Sequence, residues 1–191
     1  MPVLFPKYIR LQGCLPPTLV NRTSILARII EHLKADTVFL THLHSDYFVG
    51  LPEIYLNGRA QGRATPIRVF GPQRTKDMMD HLRLPSDADI RFRSIEDKSF
   101  GRPQNIQGAE VMALDIEEGI VLQKDGVAVS AFLVEHKHVK PAFGYRIDYI
   151  GRSIMVSGDT EPLENLVKHA AGVDILIHEV MSPALIQLLE K

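Results

Sequence analysis

Two histidines and an aspartate stand at alternate positions in Thr41-His42-Leu43-His44-Ser45-Asp46-Tyr47, directly after the apolar run Thr37 to Leu40. Alternate side chains on an extended backbone point the same way. A strand ending at Leu40 therefore presents His42 and His44 to one point, with Asp46 following as the chain bends. Imidazole nitrogen and carboxylate oxygen are the ligand set of a catalytic zinc, iron or manganese ion, in contrast with the all-thiolate cages of structural zinc. The motif calls for a fold in which this strand end faces a site completed by other strand ends.

Composition narrows the classes that could host such a site. With 191 residues and 45% hydrophobic content, the chain has material for one substantial core, and a single domain over 1–191 is expected. Lys and Arg number 22 against 23 Asp and Glu, a formal charge of -1, so no global basic field attracts phosphates or anionic membranes. The local concentration of Arg59, Arg63 and Arg68, with Lys76 further on, reads as a solvated face. The lone Cys14 excludes an internal disulfide framework and a cysteine-rich zinc site, which fits a reducing compartment. Prolines interrupt the amino-terminal apolar residues and no run reaches the length of a membrane span. A soluble, cytoplasmic protein without a membrane partner is expected.

Periodicity supplies the framework around the motif. Ile25, Leu26, Ile29, Ile30 and Leu33 predict a helix over Thr23 to Leu33. Thr37 to Leu40 and Ile67 to Phe70, the latter ended by Gly71-Pro72, read as strands, and a helix is expected over Gln73 to Leu82. From Asp87 to Gln107 polarity is high and periodicity weak, with one strand expected around Ile90 to Phe92. Val127 to Glu135, Phe143 to Tyr149, Ser153 to Ser157 and Asp174 to His178 are strand-like. Hairpin signals fall at Lys124-Asp125-Gly126 and Ile150-Gly151-Arg152. A helix over Glu164 to Ala170, closed by Gly172, separates the last two strands.

Two further strand ends carry the same chemistry. His136 and His138 follow the strand ending at Glu135, and Ser157-Gly158-Asp159-Thr160 follows the apolar Ile154 to Val156, where glycine permits a tight turn. Either segment alone is an ordinary surface histidine pair or turn. Together with His42 and His44 they place His or Asp at three separate strand ends.

Thr41 to Asp46, His136 ahead of Val139-Lys140-Pro141-Ala142-Phe143-Gly144-Tyr145-Arg146, Ser157 to Thr160, and Ile177-His178-Glu179 resemble, in order, the metallo-β-lactamase superfamily, in particular its ribonuclease Z and arylsulfatase-like branch. The resemblance runs from about Ala35 to Met181. It implies an α/β (α+β) fold, a metallo-β-lactamase-like αββα sandwich, incomplete here at both ends. It also implies that His42, His44 and His136 hold a first metal, that Asp46 ligates a second, and that Asp159 bridges the two. His138 falls at a non-ligand position, with exchange for His136 as the alternative. Asp46, His178 and Glu179 are the candidate catalytic residues; the last two resemble a proton-relay pair, or equally a polar dyad supporting the site.

The chain also departs from that pattern. Where the family reads His-x-His-x-Asp-His, this chain has Tyr47, a poor ligand while its phenol stays protonated at its usual pKa of about 10. A last family histidine after His178 and a Phe-Asp-x-Gly segment ahead of His42 are not found, so a truncated relative, a fragment, or assembly with another chain is expected. The favoured site is mononuclear, formed by His42, His44, His136 and Asp159, with Asp46 acting as base or holding a weak second ion. Zinc is the expected cofactor, one ion or two, with manganese or iron as alternatives. The expected activity is a metal-dependent hydrolase acting on a small-molecule ester, sulfate ester or phosphodiester. A transfer-RNA 3′-processing endonuclease and a non-catalytic metal-binding relative are the alternatives; nucleic acid is not the favoured partner, and a homo-oligomer is left open.

Overall fold

In the computed structural model of the chain, the described residues are 9–12 and 36–180. The expected helix over Thr23 to Leu33 lies outside them.

Strands β1 (Ile9–Gln12), β2 (Thr37–Leu40), β3 (Ile67–Gly71) and β4 (Val111–Asp115) form a parallel sheet in that order. Parallel neighbours need crossovers. Between β2 and β3 lie α1 (Ser45–Phe48) and α2 (Leu51–Ala60); between β3 and β4 lie α3 (Thr75–Arg83) and α4 (Asp87–Ser99). A second sheet runs β5 (Gly119–Lys124), β6 (Val127–Val134), β7 (Ala142–Tyr149) and β8 (Arg152–Val156) as an antiparallel meander. After α5 (Glu164–Ala170), β9 (Ile175–Ile177) joins it parallel to β8.

Alternation along the strands sorts the core into layers. Val38 and Leu40 of β2 pack with Ile67 and Val69 against Leu51, Ile54 and Tyr55 of α2 and Met79 of α3. Phe39 and Phe70 point the other way, stacked 5.1 Å apart, into Val129, Ala131, Phe143, Tyr145 and Ile147 of the second sheet. On that sheet's outer side, Phe132, Val134, Ala142 and Met155 meet Leu166 of α5. Helix, sheet, sheet and helix layers follow, the expected αββα sandwich. Each fully buried aromatic here contributes on the order of 1.5–3 kcal/mol.

Strand direction decides where a site can form. β6 and β8 each run antiparallel to β7, and β9 runs parallel to β8, so β6, β8 and β9 all end at one edge of the second sheet, where β7 begins. The end of β2 reaches the same edge, because the Phe143 N–H donates to the Thr41 carbonyl at 2.9 Å.

Some sequence expectations are corrected. The stretch read as irregular with a strand at Ile90 to Phe92 is the helix α4. It buries no residue, so it has no apolar stripe to betray a helical period. It is held instead by the Arg59 guanidinium, which donates to Ser94 Oγ at 2.8 Å and to Asp97 Oδ2 at 3.3 Å. Arg59 and Arg63 are not a solvated face; both are buried, and Arg63 donates to the Tyr55 and Gly108 carbonyls at 3.0 and 2.9 Å. β1, β4, α1 and α2 were not expected, and the α3 helix begins at Thr75 rather than Gln73. No helix among the described residues is long and apolar enough to cross a membrane.

Both hairpin turns form where expected, with positive φ at Asp125 and Gly126 and at Ile150 and Gly151. Aspartate tolerates the left-handed region, whereas β-branched Ile150, at φ 47° and 75% exposed, does so under strain. Ile150→Asn should therefore stabilise the fold by about 1 kcal/mol, a rise in melting temperature of roughly 2–4 °C by calorimetry.

Candidate metal centre

β2 is buried throughout and is followed by Thr41-His42, which are also buried. One imidazole nitrogen of His42, Nδ1, lies 3.1 Å from Thr41 Oγ1, which orients the ring and leaves Nε2 facing the cleft. That Nε2 is 3.0 Å from Nδ1 of His44, two residues on. The ring of His136, just beyond β6, closes the group edge-on, with centroids 4.8 Å from His42 and 5.2 Å from His44. One ligand nitrogen from each of the three histidines lies within 4.8 Å of the other two.

Asp159 enters from β8. Gly158, at φ +66°, turns the chain sharply, and a Cβ there would lie 2.8 Å from the Phe143 carbonyl oxygen and 3.0 Å from Thr41 Cβ. The turn brings Asp159 Oδ2 to 3.9 Å from Nε2 of both His42 and His136. Its other oxygen, Oδ1, accepts a hydrogen bond from the Tyr47 hydroxyl. Asp46, in the first turn of α1, is exposed and falls outside the three-histidine group. His138 is exposed and falls outside the three-histidine group.

His178 and Glu179 follow β9 on the same edge. The Glu179 carboxylate accepts from the Thr160 N–H, and the Glu179 N–H donates to Ser157 Oγ at 3.1 Å. These bonds fasten both sides of the Gly158-Asp159 turn. His178 is exposed, with Nδ1 2.8 Å from the Glu179 carbonyl. The roles of Tyr47, Ser157 and Thr160 were not foreseen. Tyr47 was visible only as a departure from the family pattern, and the other two have no chemical signal until β9 is placed beside β8.

The cluster's chemistry fits a cation. His136 Nε2 is buried with no hydrogen-bond partner among the described residues, a costly state for a polar atom. His42 Nε2 and His44 Nδ1 face each other across a distance spanned by one proton, whereas a cation would engage both lone pairs. Ligand atoms around a tetrahedral zinc with bonds of 2.0–2.2 Å lie about 3.3–3.6 Å apart, between the 3.0 Å separating His42 Nε2 from His44 Nδ1 and the 3.9 Å separating Asp159 Oδ2 from His42 and His136. Burial first, then the neighbouring His136 and His44, pull the His42 pKa down from 6.5 to about 4 against the pull of Asp159 and Asp46. A neutral imidazole is the ligating form.

An αββα sandwich with a histidine and carboxylate cluster at the edge shared by its sheets defines a class of metal-binding folds. The sequence model of the family described as Beta-lactamase superfamily domain matches residues 17–185, and the chain belongs to the metallo-β-lactamase superfamily. It is 31% identical over 147 residues to a ribonuclease Z of Mycobacterium marinum, a match covering 75% of this chain and 51% of that protein. The chain spans about half the length of the curated relatives it matches. The short form of human tRNase Z superposes with a TM-score of 0.63 at 18% identity, over 95% of this chain and 70% of that one. Zinc-bound PqqB of Methylobacterium extorquens superposes with a TM-score of 0.54 at 13% identity, over 91% and 56%. These structures share the fold.

Gly158→Ala should displace Asp159 and weaken metal binding by about tenfold or more, measured by chelator competition. In the chelator-treated protein, His42 is neutral in both folded and unfolded states above about pH 6.5, its ordinary value. As pH falls from there toward about 4, the unfolded chain takes up the proton first, so stability drops through that window. Denaturant titrations across pH should show this slope, shallower in His42→Asn.

Proposed function

We propose that the chain is a metal-dependent phosphodiesterase acting on RNA, with the 3′ end of transfer-RNA precursors as the substrate class. The observation that carries this reading is the meeting of His42, His44, His136 and Asp159 at one edge of the sandwich. The likeness to ribonuclease Z supports the substrate, and it favours the RNA alternative over the small-molecule ester or sulfate ester first expected.

In this reading those four residues hold zinc. When bound, the ion supplies Lewis-acid chemistry, lowering the pKa of water and polarising a phosphoryl oxygen. Exposed Asp46 takes the proton from the attacking water as general base. His178, whose Nδ1 is engaged by the Glu179 carbonyl, is the group that returns a proton from Nε2 to the departing oxygen. Glu179 acts through Thr160 as a support for the Asp159 turn. Arg59 and Arg63 take no part in gripping RNA, because their guanidinium groups are spent on the protein's own carbonyls and on Ser94 and Asp97.

Tyr47, standing where the family places a histidine, favours a second reading, a metal-binding relative without catalysis. Incubation with a 3′-extended transfer-RNA precursor separates the two. The proposal expects zinc-dependent cleavage, weakened by added salt and lowered at least about a hundredfold in His44→Ala together with metal content. Cleavage of carboxylic or sulfate esters without RNA cleavage would overturn the substrate, and metal retention with no hydrolysis of any ester would favour the second reading.

A further inference from the structure

The two oxygens of Asp159 have different partners. Oδ2 faces the histidines, 3.9 Å from Nε2 of both His42 and His136, while Oδ1 accepts the Tyr47 hydroxyl hydrogen. Neither residue has much freedom to exchange these roles. The Tyr47 ring lies against His42, with centroids 4.1 Å apart, and its N–H donates to the His44 carbonyl at 3.0 Å. The aspartate's turn is fixed by the positive φ of Gly158, by the Thr160 N–H on Glu179, and by the Glu161 N–H on the Glu135 carbonyl at 2.7 Å. A carboxylate divided in this way turns Oδ2 to the cluster and holds Oδ1 on the phenol, which a second cation would have to share or displace.

We propose that Tyr47 is a positioning residue: by donating to Oδ1 it holds Asp159 as a one-oxygen ligand of a single ion at His42, His44 and His136, so that the centre is mononuclear. The inference rests on the reading of these residues as a metal site. The phenol occupies one corner of the carboxylate without adding charge, and its hydrogen bond substitutes for the second cation that a bridging aspartate would serve. Hydrogen bonds of this kind to a ligating carboxylate orient it and tune affinity.

Zinc binding by the full chain tests the assignment. Elemental mass spectrometry of the zinc-loaded wild type should find one ion per chain, and zinc addition should raise no tyrosinate band in the ultraviolet difference spectrum. Tyr47→Phe should also hold one ion, with a Kd weaker by about ten- to a hundredfold. Saturated with cobalt(II), that variant should show weaker visible bands than the wild type, because the freed Oδ1 also coordinates; a merely structural role would leave the saturated spectrum unchanged. Two zinc ions per wild-type chain, a tyrosinate band, or an unaltered Kd and cobalt spectrum in Tyr47→Phe would overturn the proposal. Should Tyr47→Phe not fold, the wild-type count and ultraviolet spectrum decide alone. Full zinc retention by His44→Ala would instead overturn the metal-site reading beneath it, whatever Tyr47→Phe does.

Discussion

A pair of hydrogen bonds between the sheets sets the geometry on which everything else depends. The Tyr145 hydroxyl, buried in the intersheet core, donates to the Leu40 carbonyl at 2.7 Å, and one residue further on the Phe143 N–H donates to the Thr41 carbonyl. A carbonyl at the end of a strand has lost its ladder partner, and leaving it unpaired in the interior would cost about 1–3 kcal/mol. Satisfying both carbonyls from β7 joins the end of β2 to the start of β7. Burial pushes the Tyr145 phenol's pKa upward, so it remains a proton donor. The join places His42 beside strand ends that belong to the other sheet.

The cluster is accordingly a product of two sheets with different rules. In the parallel sheet, both faces are covered and β2 reads as an unbroken buried run from Thr37 to Leu40. In the antiparallel meander, tight turns return the chain, and His136 and Asp159 arrive at the same edge only because two strands run in the same direction on either side of β7. An electrostatic conflict results. Three imidazoles and a carboxylate are gathered around the buried His42, whose protonation burial and the neighbouring His136 and His44 oppose, and a cation reconciles the group better than a proton does.

Much of this was legible from the residues. The strands that carry the site announce themselves as short apolar runs bounded by turns, and Asp125-Gly126 and Ile150-Gly151 mark their hairpins to the residue. His42, His44, His136 and Asp159 were visible because strand ends are where side chains become free to converge. What stayed hidden depends on partners remote in sequence. α4 has no apolar stripe, so nothing in Asp87 to Ser99 distinguishes it from a solvated loop until Arg59 is seen to hold it. Arg63 looks like surface charge because a guanidinium that satisfies buried carbonyls has the same letter as one in water. The Tyr47 to Asp159 bond joins residues 112 positions apart, a pairing that no local pattern encodes.

The fastening of the Gly158-Asp159 turn by Glu179 has a temporal meaning as well. His42 is made early, but the carboxylate that braces Thr160 is made 137 residues after it, by subtraction of 42 from 179. The parallel sheet and its helices can be in place while the chain is still being synthesised, yet the turn that carries Asp159 is braced only when Glu179, beyond β9, reaches Thr160 and Ser157. Contacts of such long sequence separation form late and slowly. An ion encountered before His136 and Asp159 are made would meet only His42 and His44, a pair too sparse to hold it; the complete cluster needs chain from both sheets.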